Sequence, residues 1–169
     1  MAIDKLDIIN VSSASQIETT AQLASEIWTQ HYTPIIGAEQ VAYMLSKFQS
    51  KEAITQQITD GYLYYLLGTK PIGYLCLKVE DTSLFISKIY LKSDQRGKGY
   101  GKQMMDFATE KAQQLDLNTL RLTVNKYNNK TIAAYEKMGF SKKREVIFDI
   151  GNGYIMDDYE MEILINSRH

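Results

Sequence analysis

A chain of 169 residues, 44% hydrophobic and 23% charged, is sized for a single domain, residues 1–169, built around one core. Nineteen basic and twenty acidic side chains leave a formal charge of −1, which argues against nucleic acid or an anionic membrane as the main partner. Two histidines and one cysteine give no basis for a dedicated metal site or an intramolecular disulfide. No long apolar segment or signal-peptide pattern opens the chain, so the expected location is the cytoplasm. Twelve tyrosines are a tyrosine-heavy choice, suited to sheet faces and to a semi-polar pocket.

Lys5–Val11 reads as a first strand. Ser12, Ser13 and Ser15 offer caps for a helix with Ile17, Ala21, Ala24 and Trp28 at helical spacing, expected to stop before Thr33-Pro34. Ile35-Ile36-Gly37 is then an apolar connector. A second helix carries Val41, Met44, Leu45 and Phe48 on one stripe, and a third spans Lys51–Thr59. From Asp60-Gly61 the period changes. Tyr62–Leu67 and Ile72–Val79 pair across a hairpin, and Leu84–Leu91 follows. Cys76, in the second of these runs, reads as a packed thiol. The next helix carries Met104, Met105, Phe107, Ala108, Ala112 and Leu115. Thr119–Val124 is a strand, and Thr131–Met138 a short helix closing on Gly139. Phe140–Ile150 and Tyr154–Ile165 pair across Gly151-Asn152-Gly153. The order predicts an α/β fold with a mixed, mostly antiparallel sheet flanked by helices.

Between the strand ending at Leu91 and the helix behind it lies Gln95-Arg96-Gly97-Lys98-Gly99-Tyr100-Gly101. Glycines let a backbone approach a ligand closely, and the free N–H groups of a helix's first turn point at an anion. By itself this is a generic phosphate cradle.

The pattern Arg96-Gly97-Lys98-Gly99-Tyr100-Gly101 resembles the acetyl-coenzyme A loop of the GNAT superfamily of N-acetyltransferases. A second stretch, Asn128-Asn129-Lys130-Thr131-Ile132-Ala133-Ala134-Tyr135-Glu136-Lys137-Met138-Gly139-Phe140, resembles the same family independently. There an asparagine precedes a short helix, a tyrosine follows seven residues later, and the helix closes on Gly-Phe. The element order matches that fold along the whole chain.

The resemblance implies coenzyme A as cofactor, with acetyl-coenzyme A as donor. Backbone amides from Arg96 to Gly101 bind the pyrophosphate, and Arg96 and Lys98 neutralise phosphate charge as exposed side chains. In such proteins the glycine-loop strand splays from its neighbour. Here that wedge is expected between the end of Ile86–Leu91 and the start of Thr119–Val124. Ile89 and Leu91 then bind pantetheine through their backbones, and N–H groups near Ile89-Tyr90 hold the oxyanion. The same cofactor site takes in Tyr100, Lys102, Asn128 and Lys130. Asn128 has a second reading, as the cap of the short helix, and Asn129 is the fallback for either role.

Tyr135 is the candidate catalytic residue, assisting the leaving thiolate. A tyrosine has a reference pKa of about 10 and a thiol about 8.5, so full proton transfer is uphill by roughly 2 kcal/mol and hydrogen bonding to the thiolate serves as well. The competing reading packs the Tyr135 ring against Phe140. Many relatives place a glutamate base four residues before the last apolar position of the glycine-loop strand. Counting back from Leu91 lands on Ser87, so the base is unassigned and a water relay is the default.

For the acceptor site the resemblance points to Trp28, His31 and Tyr32, with an exposed or capping histidine as the plainer reading of His31. Asp157 shares the parity of Ile155, Tyr159, Met161, Ile163 and Ile165, whereas Asp158, Glu160 and Glu162 occupy the other, polar face. On an apolar face Asp157 needs a partner, and an amine substrate would be one; alternatively, pairing begins only after Asp158. Glu26–Phe48 and the acidic ending Met156–Met161 are similar to bacterial polyamine acetyltransferases. The expected function is therefore acetyl transfer to a primary amine, a small-molecule acceptor with a polyamine first. A protein or peptide N-acetyltransferase, or a non-catalytic coenzyme A-binding module, are the alternatives. A homodimer closed through the C-terminal strands is compatible with the resemblance.

Overall fold

The computed structural model describes residues 5–165. In chain order the elements are β1 (Ile8–Asn10), α1 (Ala14–Ile36), α2 (Ala38–Phe48), α3 (Lys51–Thr59), β2 (Leu63–Leu67), β3 (Gly73–Val79), β4 (Ser83–Leu91), α4 (Tyr100–Gln114), β5 (Thr119–Asn125), α5 (Asn129–Lys137), β6 (Ser141–Gly151) and β7 (Tyr154–Leu164). A 3-10 turn, Ser93–Gln95, precedes α4. The strand order is β1-β2-β3-β4-β5-β7-β6, the mostly antiparallel sheet that the element order implies. By contacts the chain divides into two compact units, one holding residues up to Lys78 with Lys88–Phe107, the other Val79–Ser87 with the residues from Ala108 onward.

In the first unit β1 and β3 flank β2, with Ile9 opposite Leu66 and Tyr64 opposite Cys76. Helix α1 starts in a reciprocal cap: Ser13 Oγ accepts from Gln16 N, and Gln16 Oε1 accepts from Ser13 N. Its stripe Ile17, Leu23, Ala24 and Ile27 packs with Ile54 of α3 on Tyr64, Leu66, Tyr74 and Cys76 of the sheet. Cys76 is the packed thiol its apolar run implies.

The expected stop before Pro34 is overturned. Helix α1 runs on to Ile36 with Pro34 inside its last turn, so Ile35 and Ile36 are helical and Gly37 alone separates α1 from α2. Proline forfeits one N–H donor and its ring crowds the carbonyl four residues earlier, a cost confined here to the last turn of α1. Gly37 N–H meets Thr33 O at 3.0 Å beyond it, and buried Tyr32, stacked 4.3 Å from Trp28, holds the last turns in place.

Lys88 on β4 enters this core with 6% of its surface exposed. Its ammonium donates to the carbonyl of Phe48 at 2.6 Å, to Gln57 Oε1 at 2.9 Å and to the Tyr64 hydroxyl. Neutral oxygens, none of them a carboxylate, thus satisfy its three donors. Burial pushes the amine down from 10.5 to about 8. Between those values the unfolded chain holds more protons, so Lys88's contribution to stability rises with pH and is lost as pH falls through 8. Relative to a Lys88→Met variant, the wild type is expected to gain about 3 kcal/mol of unfolding free energy from below pH 8 to above pH 10.5. Urea unfolding across that range checks it; a flat difference between the two proteins refutes the titration.

In the second unit Ser83–Ile86 of β4 pairs in parallel with Thr119–Leu122 of β5. The start of β5 is therefore closed against β4, contrary to the wedge expected there. A crossover helix returns the chain to the end where its first strand began, so parallel partners start together. β7 lies between β5 and β6. Gly151, Asn152 and Gly153 have φ of 89, 55 and 79°, the left-handed backbone that a tight hairpin needs. Gly139 closes α5 at φ 107°, and a Cβ there would lie 2.8 Å from Ile163 Cδ1, so the helix end rests on β7.

Candidate active site

The glycine loop belongs to the first unit. After the 3-10 turn, Arg96 is extended, and Gly97 and Gly99 turn the backbone through φ of 76 and 86° into α4. A Cβ at Gly97 would meet nothing within 4 Å. Glycine is therefore required there by backbone conformation and leaves open space above the loop, the cradle an anionic phosphate fits. Gln103 N bonds to Gly99 O at 3.2 Å, while the N–H groups just before it belong to the unpaired first turn. Lys98 is exposed, and Lys102 pairs with Asp106 at 2.9 Å in solvent. A cavity of about 420 Å³ opens beside the loop, lined by Lys70, Pro71, Ile72, Lys92, Asp94 and Gln95.

Arg96 is exposed and also tethered. One guanidinium nitrogen lies 3.1 Å from His31 Nδ1, and the other donates to Leu91 O at 3.3 Å. A guanidinium has only donors, so Nδ1 accepts and the ring proton sits on Nε2. Ser93 Oγ donates to Gln30 Oε1 at 3.1 Å, and Lys92 lies 3.5 Å from Glu26. One face of α1 thus docks on the segment leading into the loop, a contact with no signal in the sequence. His31, assigned to the acceptor, and Arg96, assigned to phosphate, are direct neighbours.

Trp28, Tyr32 and Tyr90 also meet. Trp28 lies 5.6 Å from Tyr90 edge-on, Tyr32 6.2 Å from it, and Tyr74 closes the group at 5.3 Å. Ile89 and Leu91 are half-buried. Gly73 backs directly on this stretch: a Cβ there would fall 2.5 Å from Tyr90 O and 2.8 Å from Leu91 Cδ2.

In the second unit Tyr135 is half-buried on α5, its ring 5.7 Å from Phe140 and tilted by 52°. The packing reading is therefore real, and it leaves part of the ring accessible. Asn128 is buried at the N-cap but makes no side-chain capping bond, which removes its capping alternative. Asn125 Oδ1 instead stabilises the turn by accepting from Tyr127 N at 2.9 Å. Asn129 and Lys130 are exposed in the first turn. Ser87 is half-buried on β4.

The strand bearing Asp157 is unbroken, and it pairs with β6 on both sides of that residue, so the alternative of late pairing falls. Asp157 has a partner from its own chain: Lys126 Nζ lies 2.7 Å from its carboxylate and 2.9 Å from Glu145. These hydrogen bonds, Asp157's first, raise the Lys126 pKa above its ordinary value. The polar face, in contrast, is not solvated. Asp158 and Glu160 are buried, while Ile155 on the other parity is exposed. Glu160 pairs with Arg144, and with Arg121 at 3.7 Å; Arg121 also forks onto Glu80 and stacks 4.1 Å from Phe85. The Arg121 hydrogen bond holds the Glu80 carboxyl below its usual range. Alternation along β7 gives two faces but not which is buried: here Asp158 and Glu160, on the polar parity, are the buried ones.

The acetyltransferase (GNAT) family profile matches residues 21–140. An uncharacterized N-acetyltransferase of Lactobacillus delbrueckii subsp. lactis is 27% identical over 169 residues, covering 94% of each chain. A spermidine N(1)-acetyltransferase of Thermoplasma acidophilum is 24% identical over 135 residues, 76% of this chain and 84% of that protein. The crystal structure of the PaiA N-acetyltransferase from T. acidophilum in complex with coenzyme A superposes with a TM-score of 0.78 at 22% identity, covering 96% of this chain and all of the other. That likeness concerns the fold. The family match spans well over half of the sequence: the chain belongs to the GNAT acetyltransferase family and is an acetyl-coenzyme A-dependent acyltransferase.

Proposed function

We propose that residues 1–169 act as one cytoplasmic N-acetyltransferase domain that acetylates a small primary amine, with polyamines the first class to test. The observation that carries the polyamine choice is the similarity to the T. acidophilum spermidine N(1)-acetyltransferase over 76% of the chain. Among the described residues no helix is long and apolar enough to cross a membrane.

Bound acetyl-coenzyme A supplies the acetyl group as a thioester. The backbone N–H groups of Arg96–Gly101 hold its pyrophosphate, with Arg96, Lys98, Lys102 and Lys130 adding positive charge. The backbones of Ile89 and Leu91 hold the pantetheine arm, with Tyr100 and Asn128 completing that part of the site. N–H groups near Ile89-Tyr90 stabilise negative charge on the carbonyl oxygen. Trp28, His31 and Tyr32 belong to the acceptor side, and Tyr135 donates its hydroxyl hydrogen to the leaving sulfur. Asp157 is a weaker acceptor candidate than its position suggested, because Lys126 already neutralises it.

The test is release of free thiol from acetyl-coenzyme A across a panel of diamines, polyamines, monoamines and peptides. Turnover on polyamines at least about tenfold above that on peptides is the expected result. Equal activity on peptides favours protein acetylation, and tight donor binding without thiol release from any member favours a non-catalytic module.

A further inference from the structure

We propose that Asp158 receives the ammonium group of the acceptor and takes its proton. The inference rests on the acetyltransferase reading above and supplies the base that Ser87 leaves missing.

Asp158 on β7 sits opposite Asn125 of β5 and Val146 of β6. Residues directly opposite share a sheet face, so Arg121, Thr123, Asn125, Asp158, Glu160 and Glu162 share one. The carboxylates around it have cations: Glu80 and Glu160 meet Arg121, Glu160 also Arg144, Glu162 meets Lys143, and Asp157 across the sheet meets Lys126. Among the described residues Asp158 forms no such ion pair. It is 2% exposed, and its Oδ1 is buried with no hydrogen-bond partner among the described residues. A buried carboxylate lacking a counter-ion is costly, and an orphaned buried acceptor in a folded protein calls for a reason. A primary ammonium is complementary to it: one positive charge, three donors and no acceptor.

The position separates the two proton-handling groups. Helix α5, which bears Tyr135, rests through Gly139 on Ile163, whose parity on β7 is opposite to that of Asp158. A proton acceptor for the entering amine and a donor for the leaving sulfur thus belong to opposite faces of the sheet and cannot exchange a proton directly.

The protonation state suits the task. Burial first, then the Asp157 charge, pushes the Asp158 carboxyl up from 3.8 to about 6, against the pull of a Thr123 hydrogen bond and of Lys126. The other charged groups on its face are Arg121 on β5, Arg144 on β6, and Glu160 and Glu162 on β7, while Glu145 lies on the opposite face against Lys126. At neutral pH such a carboxyl is mostly ionised, yet it is on the order of a hundredfold stronger base than an ordinary aspartate. In the reaction the ammonium passes one proton to Asp158. Its nitrogen lone pair forms the N–C bond to the acetyl carbonyl, and the C–S bond breaks with its electron pair going to sulfur. Tyr135 gives its hydroxyl proton to that sulfur and is restored by the second nitrogen proton, leaving amide and free thiol, and Asp158 returns its own proton to solvent.

The isosteric variant Asp158→Asn is expected to lower kcat/KM for the amine by about a hundredfold or more at pH 7 and to abolish a break near pH 6 in the wild-type profile. Coenzyme A affinity, read by calorimetry, stays unchanged. A second readout needs no turnover: from pH 4 to pH 7 the melting temperature of the wild type falls relative to that of Asp158→Asn, because the fold disfavours the ionised carboxyl. Thr123→Val, which keeps the base and removes its hydrogen bond, moves the break to higher pH and covers the case of an Asn variant that does not fold. A variant with kcat/KM within about threefold of wild type, or a break unmoved by Thr123→Val, overturns Asp158's role and leaves the acetyltransferase reading standing. A wild type that releases no thiol with any amine or peptide overturns both.

Discussion

Replacing Tyr135 with phenylalanine is expected to lower kcat by about 10²- to 10³-fold while coenzyme A affinity changes by less than about twofold. The substitution removes one hydroxyl and keeps the ring, so the contact with Phe140 at 5.7 Å survives and the fold with it. That asymmetry separates the two readings of the residue. A purely packing tyrosine tolerates phenylalanine without loss, since half-buried rings of the same shape fill the same space. A hydroxyl that meets the departing thiolate does its work only as charge develops on sulfur, so its loss appears in turnover and not in donor binding. Steady-state rates at saturating donor, with calorimetric titration of coenzyme A, decide the matter. Unchanged kcat removes Tyr135 from the chemistry.

Valine at Gly97 should weaken coenzyme A binding by about a hundredfold or more, whereas valine at Gly153 should leave it unaltered. The two glycines are matched in what they require of the backbone, with φ of 76 and 79°, and at each a Cβ would meet nothing within 4 Å. Both variants carry similar strain, on the order of 1–3 kcal/mol, and should lose similar stability in urea. Only Gly97 stands in the loop before α4. A branched side chain there occupies the open space and moves N–H donors from the phosphates, and losing two charge-assisted hydrogen bonds costs about 3–6 kcal/mol of binding. Equal affinity in both variants would mean that the loop does not hold the donor.

Periodic elements were legible because their signals are local. The apolar stripe of α3, the change of period at Asp60-Gly61 and the glycines of the β6–β7 turn each depend on neighbours within a few residues. Pro34 misled for the same reason. The bias against helix before proline is a local preference, and packing of Tyr32 on Trp28 outweighed it. The glycine loop and the Asn128–Phe140 stretch were legible as two motifs, and the residues packed beside them were not. Arg96 and His31 are 65 residues apart in sequence, and nothing in either segment announces the other. The burial of Asp158 was hidden for a different reason: parity along β7 separates two faces, but which of them is buried depends on what packs against the sheet. Lys88 was invisible altogether, since a lysine between Ser87 and Ile89 reads as a solvated strand residue until Phe48, Gln57 and Tyr64 surround it.

That cage bears on how the first unit assembles. Stripping water from an ammonium before replacement oxygens arrive costs several kcal/mol. The oxygens that replace water come from the end of α2, from α3 and from β2, while the amine comes from β4, up to 40 residues away in sequence. A half-formed helical layer over the strands would trap the charge with too few acceptors. Strand β4 can therefore seal only when both helices are already seated, so this layer should close cooperatively, with its slowest contacts the most distant ones.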